Sequence, residues 1–275
     1  MSVLPTASPA YPDVSCIRHE PAEVYHSKAH EHLSSHQLGD FRKCPALYHK
    51  KKLGLVPDED RPAYQIGRGL HTLVLEGRNT FEAEYAVGGP INPKTGEMFG
   101  STTKAYAEWA AAQGKAVLTV QQFDLVENMA DGVRANGMAV DLLSEGIAEG
   151  VVRCDYREIP AQIRMDWLDA HCGIADLKTC DDLTWFEADA RRYGYVYQMA
   201  FYRAVLAQVI GIQMPVYLIG IEKREPYRCG VWKITDDTLA QAQKENEAAI
   251  ERLKRCVATD TWPSGYEEVR VFDAI

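Results

Sequence analysis

No stretch of the 275-residue chain approaches the roughly 20 apolar residues that a membrane helix needs, and its N-terminus lacks a basic region followed by an apolar one. These absences predict a cytoplasmic protein with no membrane partner. No CxxC pair occurs among the seven cysteines, at 16, 44, 154, 172, 180, 229 and 256. Their odd number and wide scatter exclude a disulfide framework or zinc ribbon and point to reduced thiols. Cations are outnumbered, 30 against 39, for a net charge of −9, so nucleic-acid binding has to come from a local basic patch. Internal repeats and low-complexity tracts are missing too, which removes the solenoid and linker classes. What is present, 46% apolar and 25% charged residues, suits a globular protein of one large domain with decorations.

The most informative stretch is Arg164 to Thr179. Residues 161–168 form a mixed apolar run ending near Asp166, residues 169–173 supply turn formers, and residues 174–179 are apolar again, which predicts a hairpin. Asp176 and Lys178 stand two apart and project from one face of a strand, with Asp166 able to reach them from its neighbour. Two carboxylates this close repel each other, and a divalent cation held by oxygen ligands resolves the repulsion. A lysine beside it can orient or deprotonate water, or stabilise charge on a phosphate. The pattern is a metal-dependent phosphodiesterase arrangement. The competing explanation, a solvated Asp-Lys pair, fits poorly with the apolar neighbours Ile174, Ala175 and Leu177.

Along the chain, residues 1–32 hold four prolines and little periodicity, as an extended arm does. His26, His30, His32 and His36 are read as polar residues leading to a helix cap rather than as a metal cluster. Ser34 or Ser35 caps a helix bearing Leu38, Phe41 and the basic run Arg42, Lys43, Lys50, Lys51 and Lys52, a face either solvated or turned toward phosphates. Pro62 starts a helix to Glu76 in which His71 is either a satisfied histidine or a metal ligand. Residues 81–100 read as a long loop or small hairpin, and helical patterns at 104–112, 120–136 and 139–144 complete an insertion over about 80–145. Strands follow at 150–156, 161–168 and 174–179. A long helix from a cap at Asp181 or Thr184 to Gln208 carries Gln198 and Tyr202 on one face. Strands at 215–221 and 228–234, a helix at 237–258 and a tail with Trp262 close the chain. This order predicts an α/β fold, a central mixed sheet flanked by helices with an N-terminal helical region, over residues 33–275.

Several blocks together resemble a PD-(D/E)xK nuclease of the RecE-like, exonuclease VIII type. They are Leu33-Ser34-Ser35-His36-Gln37-Leu38 with Cys44-Pro45-Ala46, Gly67-Arg68-Gly69-Leu70-His71 with Leu75-Glu76, and the stretch from Trp109 to Val120 with Met129 and Leu142-Leu143. Arg164-Met165-Asp166-Trp167-Leu168 with Ile174-Ala175-Asp176-Leu177-Lys178-Thr179 resembles the family's metal site, and Gln198 to Tyr202 its Q-x-x-x-Y motif. Met165 stands where the nominal motif has proline, and Asp176 where it often has Glu. The resemblance implies a restriction-endonuclease-like core in which His71, Asp166, Asp176 and the Leu177 backbone carbonyl hold Mg²⁺ or Mn²⁺. Lys178 would position or activate water, Gln198 and Tyr202 would arrange water and scissile phosphate, and Glu149 is a further, outer or second-metal carboxylate. It also implies 5′-to-3′ digestion of linear double-stranded DNA from its ends, leaving single-stranded tails for recombination. A homo-oligomeric ring and a single-strand annealing partner come with that resemblance.

Three rivals are weighed against it. An iron–sulfur nuclease of the Cas4 type needs grouped cysteines after the core, and only Cys229 and Cys256 follow Cys180. A non-catalytic DNA-binding protein with the same fold would have little reason to keep Asp166, Asp176, Lys178 and Gln198 together. A restriction enzyme would cut circular DNA at discrete positions.

Overall fold

The structure, a computed structural model, describes residues 12–57 and 62–271. Residues 1–11 of the expected arm lie outside the described residues. The rest of that arm is structured: Arg18–His19 (β1) pairs with the sheet and Ala22–Ser27 (α1) forms a short helix. Leu33 then exchanges backbone hydrogen bonds with the strand at 159–169, at 2.8 and 2.9 Å, which fixes where the next helix begins. Ser34 caps that helix in a capping box with Gln37.

The expected single helix over residues 35–52 is two, Ser35–Lys43 (α2) and Pro45–Lys52 (α3). Pro45 is the reason: it bars Cys44 from helical geometry, and Cys44 sits extended at φ −160°. Pro62–His71 (α4) runs into a π-helical turn over Thr72–Glu76. Within the expected loop at 81–100 the chain instead completes helix Arg78–Glu84 (α5) and strand Tyr85–Val87 (β2), while Ile91 and Met98 bridge as in a small hairpin. Helix Lys104–Ala112 (α6) leads to Ala116–Leu118 (β3), parallel to β2 in a separate two-stranded sheet. Helices Val120–Arg134 (α7) and Gly137–Leu142 (α8) follow.

The main sheet comprises β1 with Ile147–Tyr156 (β4), Ile159–Asp169 (β5), Gly173–Cys180 (β6), Val216–Glu222 (β7) and Cys229–Lys233 (β8). Its order is β1-β4-β5-β6-β7-β8, antiparallel except for the parallel β6/β7 pair. That pair needs a crossover, and helices Phe186–Tyr193 (α9) and Tyr195–Ile210 (α10) supply it. One continuous helix was expected here. Gly194, at φ 78°, takes the left-handed conformation that breaks it. Asp236–Thr259 (α11) ends the fold, and Trp262 beyond it stacks on His49 at 4.1 Å.

Both sheet faces are covered. One core joins α2, α10 and α11 to the sheet through Phe41, Ile163, Ile174, Phe201, Leu218 and Ile250. The other joins α4 and α7 through Leu70, Val126, Met129, Leu177 and Ile219. All seven cysteines are free. Among the described residues no helix is long and apolar enough to cross a membrane.

Candidate metal centre and active site

Register lines up three carboxylates. Ala148 pairs with Trp167 and Gly150 with Met165, so Glu149 lies opposite Asp166; Trp167 pairs with Ala175, so Asp176 lies opposite Asp166 on the other side. Ladder pairing is missing at both of these positions. On the β4 side, Glu149 adopts φ 53°, a left-handed conformation rare outside glycine. On the β6 side, the strands part beyond the Trp167–Ala175 pair, and the Leu177 N–H donates to Asp166 Oδ2 at 2.8 Å instead. Strand alternation then aims the Leu177 carbonyl into the same gap: Ile174 donates to Pro215, just before β7, and Cys180 accepts from Lys223, just after it, so the odd-numbered residues between them turn toward β5.

The two helical layers reach this gap from opposite faces. From α4, at the start of the π turn, His71 Nδ1 comes 3.5 Å from Asp166 Oδ2. From α10, Gln198 Nε2 donates to the Tyr202 hydroxyl at 3.0 Å and lies 3.4 Å from Asp176 Oδ1. Lys178 Nζ sits 2.5 Å from Asp176 Oδ2 and 5.2 Å above the Tyr195 ring. The helix break at Gly194 is what lets Tyr195 face the site.

The electrostatics are those of a crowded anionic site. Burial, then the Asp166 charge, pushes the Asp176 carboxyl up to about 6, against the pull of Lys178. Glu149 goes to about 8 for the same two reasons, although Arg164 Nε lies 2.9 Å from its Oε2. Burial alone would lower the Lys178 pKa, but Asp176 and Asp166 outweigh it and hold the ammonium above its ordinary value. Tyr202 is raised by burial and by Asp176.

The structure thus brings the side chains expected of the site into two clusters. His71, Glu149 and Asp166 place one ligand atom each within 4.8 Å of one another, a spacing that a cation with bonds of about 2.1–2.4 Å can bridge. Two carboxylates and an imidazole suit a hard or borderline divalent ion. Asp176 belongs to the second cluster, with Lys178, Gln198 and Tyr202. Sequence reasoning quoted Arg164 and Glu76 without giving either a role, and did not single out Tyr195. Arg164 was available from its i, i+2 relation to Asp166. Glu76, at the end of the π turn, has its carboxyl raised by burial and by Glu84, and its charge in turn acts on Glu149.

Residues 34–274 match the family described as a PDDEXK-like domain of unknown function. The chain belongs to that family. A search of curated proteins finds no match. Among solved structures, a "putative exonuclease" from Eubacterium rectale aligns with a TM-score of 0.67 at 18% identity, over 94% of this chain and 97% of its own, which shows a shared fold. LHK-Exo in complex with dAMP is also 18% identical, over 58% of this chain and 89% of its own, but its TM-score of 0.29 carries no argument.

Proposed function

We propose that this PDDEXK-like domain is a divalent-cation-dependent deoxyribonuclease, an exonuclease acting on linear double-stranded DNA. The observation that carries the reading is the row Glu149–Asp166–Asp176 across three strands, self-repelling and flanked by His71 on one side and Lys178 on the other. Two carboxyls of the row, Glu149 and Asp176, are pushed above their ordinary values by burial and by the Asp166 charge, as groups at functional sites often are.

His71, Glu149 and Asp166 would hold the cation, with Asp176 and the Leu177 carbonyl beside them; Mg²⁺, with Mn²⁺ as substitute, would supply Lewis-acid stabilisation of charge on the phosphate. In the hydrolysis, a water oxygen bonds to phosphorus and gives up a proton to solvent, the bond from phosphorus to one sugar oxygen breaks, and that oxygen takes up a proton and leaves as an alcohol. Lys178, held protonated by Asp176, serves as a cationic donor to the water or the phosphate rather than as a base. Gln198, tied to Tyr202 and Asp176, orients that water with its amide. By resemblance to RecE-type enzymes we extend the reading to 5′-to-3′ polarity, a homo-oligomer, an annealing partner in recombination and a cytoplasmic setting.

The deciding experiment follows release of labelled nucleotide from linear and circular duplexes with Mg²⁺ or Mn²⁺. Wild type should digest only the linear form, and Asp176→Ala and Lys178→Ala should each lose about 10³-fold. Labels at either end then report polarity. Wild type as inert as the variants, while still binding duplex, would instead mean a DNA-binding protein that retains the fold.

A further inference from the structure

A cavity of about 310 Å³ lies at the far end of α2 from the carboxylate row. In a chain of net charge −9, it is lined by four cations, Arg42, Lys43, Arg252 and Arg270, and by no carboxylate. Three separate segments build it: the end of α2, the last turns of α11, and the tail at Ser264 to Arg270. Arg42 lies 3.2 Å over the Tyr197 ring, and Arg270 caps Tyr266 at 4.3 Å while donating to the Gly265 carbonyl at 2.5 Å.

The nearby carboxylates are otherwise engaged. Glu245 accepts from the Tyr197 hydroxyl at 2.5 Å and from Gln241 at 3.2 Å. Glu267 accepts from the backbone N–H groups of Ser264 and Gly265 at 2.5 and 3.0 Å. Among the described residues, Lys43 and Arg252 have no carboxylate partner. Four converging cations repel one another without a counter-charge, so the cavity is suited to an anion.

The position says which anion. Tyr202 hydrogen-bonds Ser35 at the start of α2, whereas Arg42 lies seven residues along the same helix, or about 10 Å at 1.5 Å per residue. Tyr197, under Arg42, immediately precedes Gln198. At about 3.4 Å of duplex axis per nucleotide of one strand, 10 Å is roughly three nucleotides. We propose that this cavity binds an internal backbone phosphate of the DNA strand about three nucleotides from the scissile bond. It thereby sets the register of the strand in the site. The proposal rests on the nuclease reading above.

The test compares wild type with Arg252→Ala/Arg270→Ala, both exposed side chains, and with the charge-retaining Arg252→Lys/Arg270→Lys. Binding of a 20-base-pair duplex is followed by fluorescence anisotropy without divalent cation, together with Mg²⁺-dependent hydrolysis of a dinucleotide too short to reach the cavity. The alanine variant should bind duplex about tenfold more weakly, with a salt slope shallower by about one, and the lysine variant should largely recover. Dinucleotide hydrolysis should be unchanged in both. Unaltered duplex affinity and slope in the alanine variant would overturn the proposal, as would selective loss of deoxynucleoside monophosphate binding, which would mean a pocket for the released product. If wild type hydrolyses nothing yet shows the affinity difference, the nuclease reading fails and the phosphate pocket stands.

Discussion

Two buried glutamates on the same sheet sit in opposite electrostatic conditions. Glu222, at the end of β7, is 2% exposed and fully answered: Arg228 donates through Nε and Nη2 at 2.8 and 2.6 Å, and the Leu183 N–H at 2.7 Å. Its carboxyl is accordingly held down at about 2 by Arg228. Glu149, on β4, is 7% exposed and is pushed up to about 8 by burial and by Asp166, with Arg164 only partly compensating. Folding alone explains the first, because a buried carboxylate is tolerable once its oxygens are paired. It does not explain the second. A chain that can satisfy one buried carboxylate so completely leaves another frustrated where something besides stability is selected.

The sharpest way to break this comparison is the same amide substitution at both sites. Glu222→Gln should cost about 2 kcal/mol, since it removes charge-assisted bonds to Arg228 while Gln can still accept only in part. Glu149→Gln, which keeps an acceptor for Arg164, should leave the cation-free protein as stable or about 1 kcal/mol more so at pH 8. Urea denaturation in chelator measures both, and a similar loss at the two sites would end the distinction. A comparable effect should come from the ligand itself. With Mg²⁺ at about 100 times its Kd, wild type should gain about 2.7 kcal/mol, and Asp166→Ala should gain almost nothing. Glu222→Gln should gain as much as wild type. Thermal melts with and without the ion decide it, and an equal shift in Asp166→Ala would move the cation elsewhere.

Much of the site could be read from the sequence because it is local. Asp176 and Lys178 share a face by strand alternation, and Gln198 and Tyr202 by helical spacing, so their pairing needed no tertiary information. Glu149 was visible only as a secondary candidate. Its place opposite Asp166 is a matter of register between strands 17 residues apart, and periodicity does not carry register. The break at Cys44-Pro45 had a local signal in the proline that the expected single helix ignored, whereas Gly194 in the crossover looks in sequence like any tolerated helical glycine. The cavity at Arg42, Arg252 and Arg270 was beyond reach, because three remote segments supply its charges. Local chemistry is written in spacing, and assembled chemistry is not.

The most diagnostic effect is the pH dependence, because pH moves the two glutamates in opposite senses. Glu222 has a folded-state pKa of about 2, below its unfolded value, so its contribution is present at neutral pH and is lost as pH falls from about 4.5 through 2. Glu149 has a folded-state pKa of about 8, above its unfolded value, so the folded state binds a proton that the unfolded state has released. Between about 4.5 and 8, therefore, stability of the cation-free protein should fall as pH rises, and Asp176, raised to about 6, adds to the lower part of that window. Glu149→Gln should flatten the slope above pH 6 and leave the acid limb alone; Glu222→Gln should remove part of the acid limb and leave the upper slope alone. Saturating Mg²⁺ should reverse the upper slope in wild type, since the carboxylates that repel one another must ionise to bind it. Unfolding free energies at pH 5, 6, 7 and 8 would show this, and a cation-free stability that stays level or rises across that range would mean Glu149 is ionised in the folded protein and the frustration is absent.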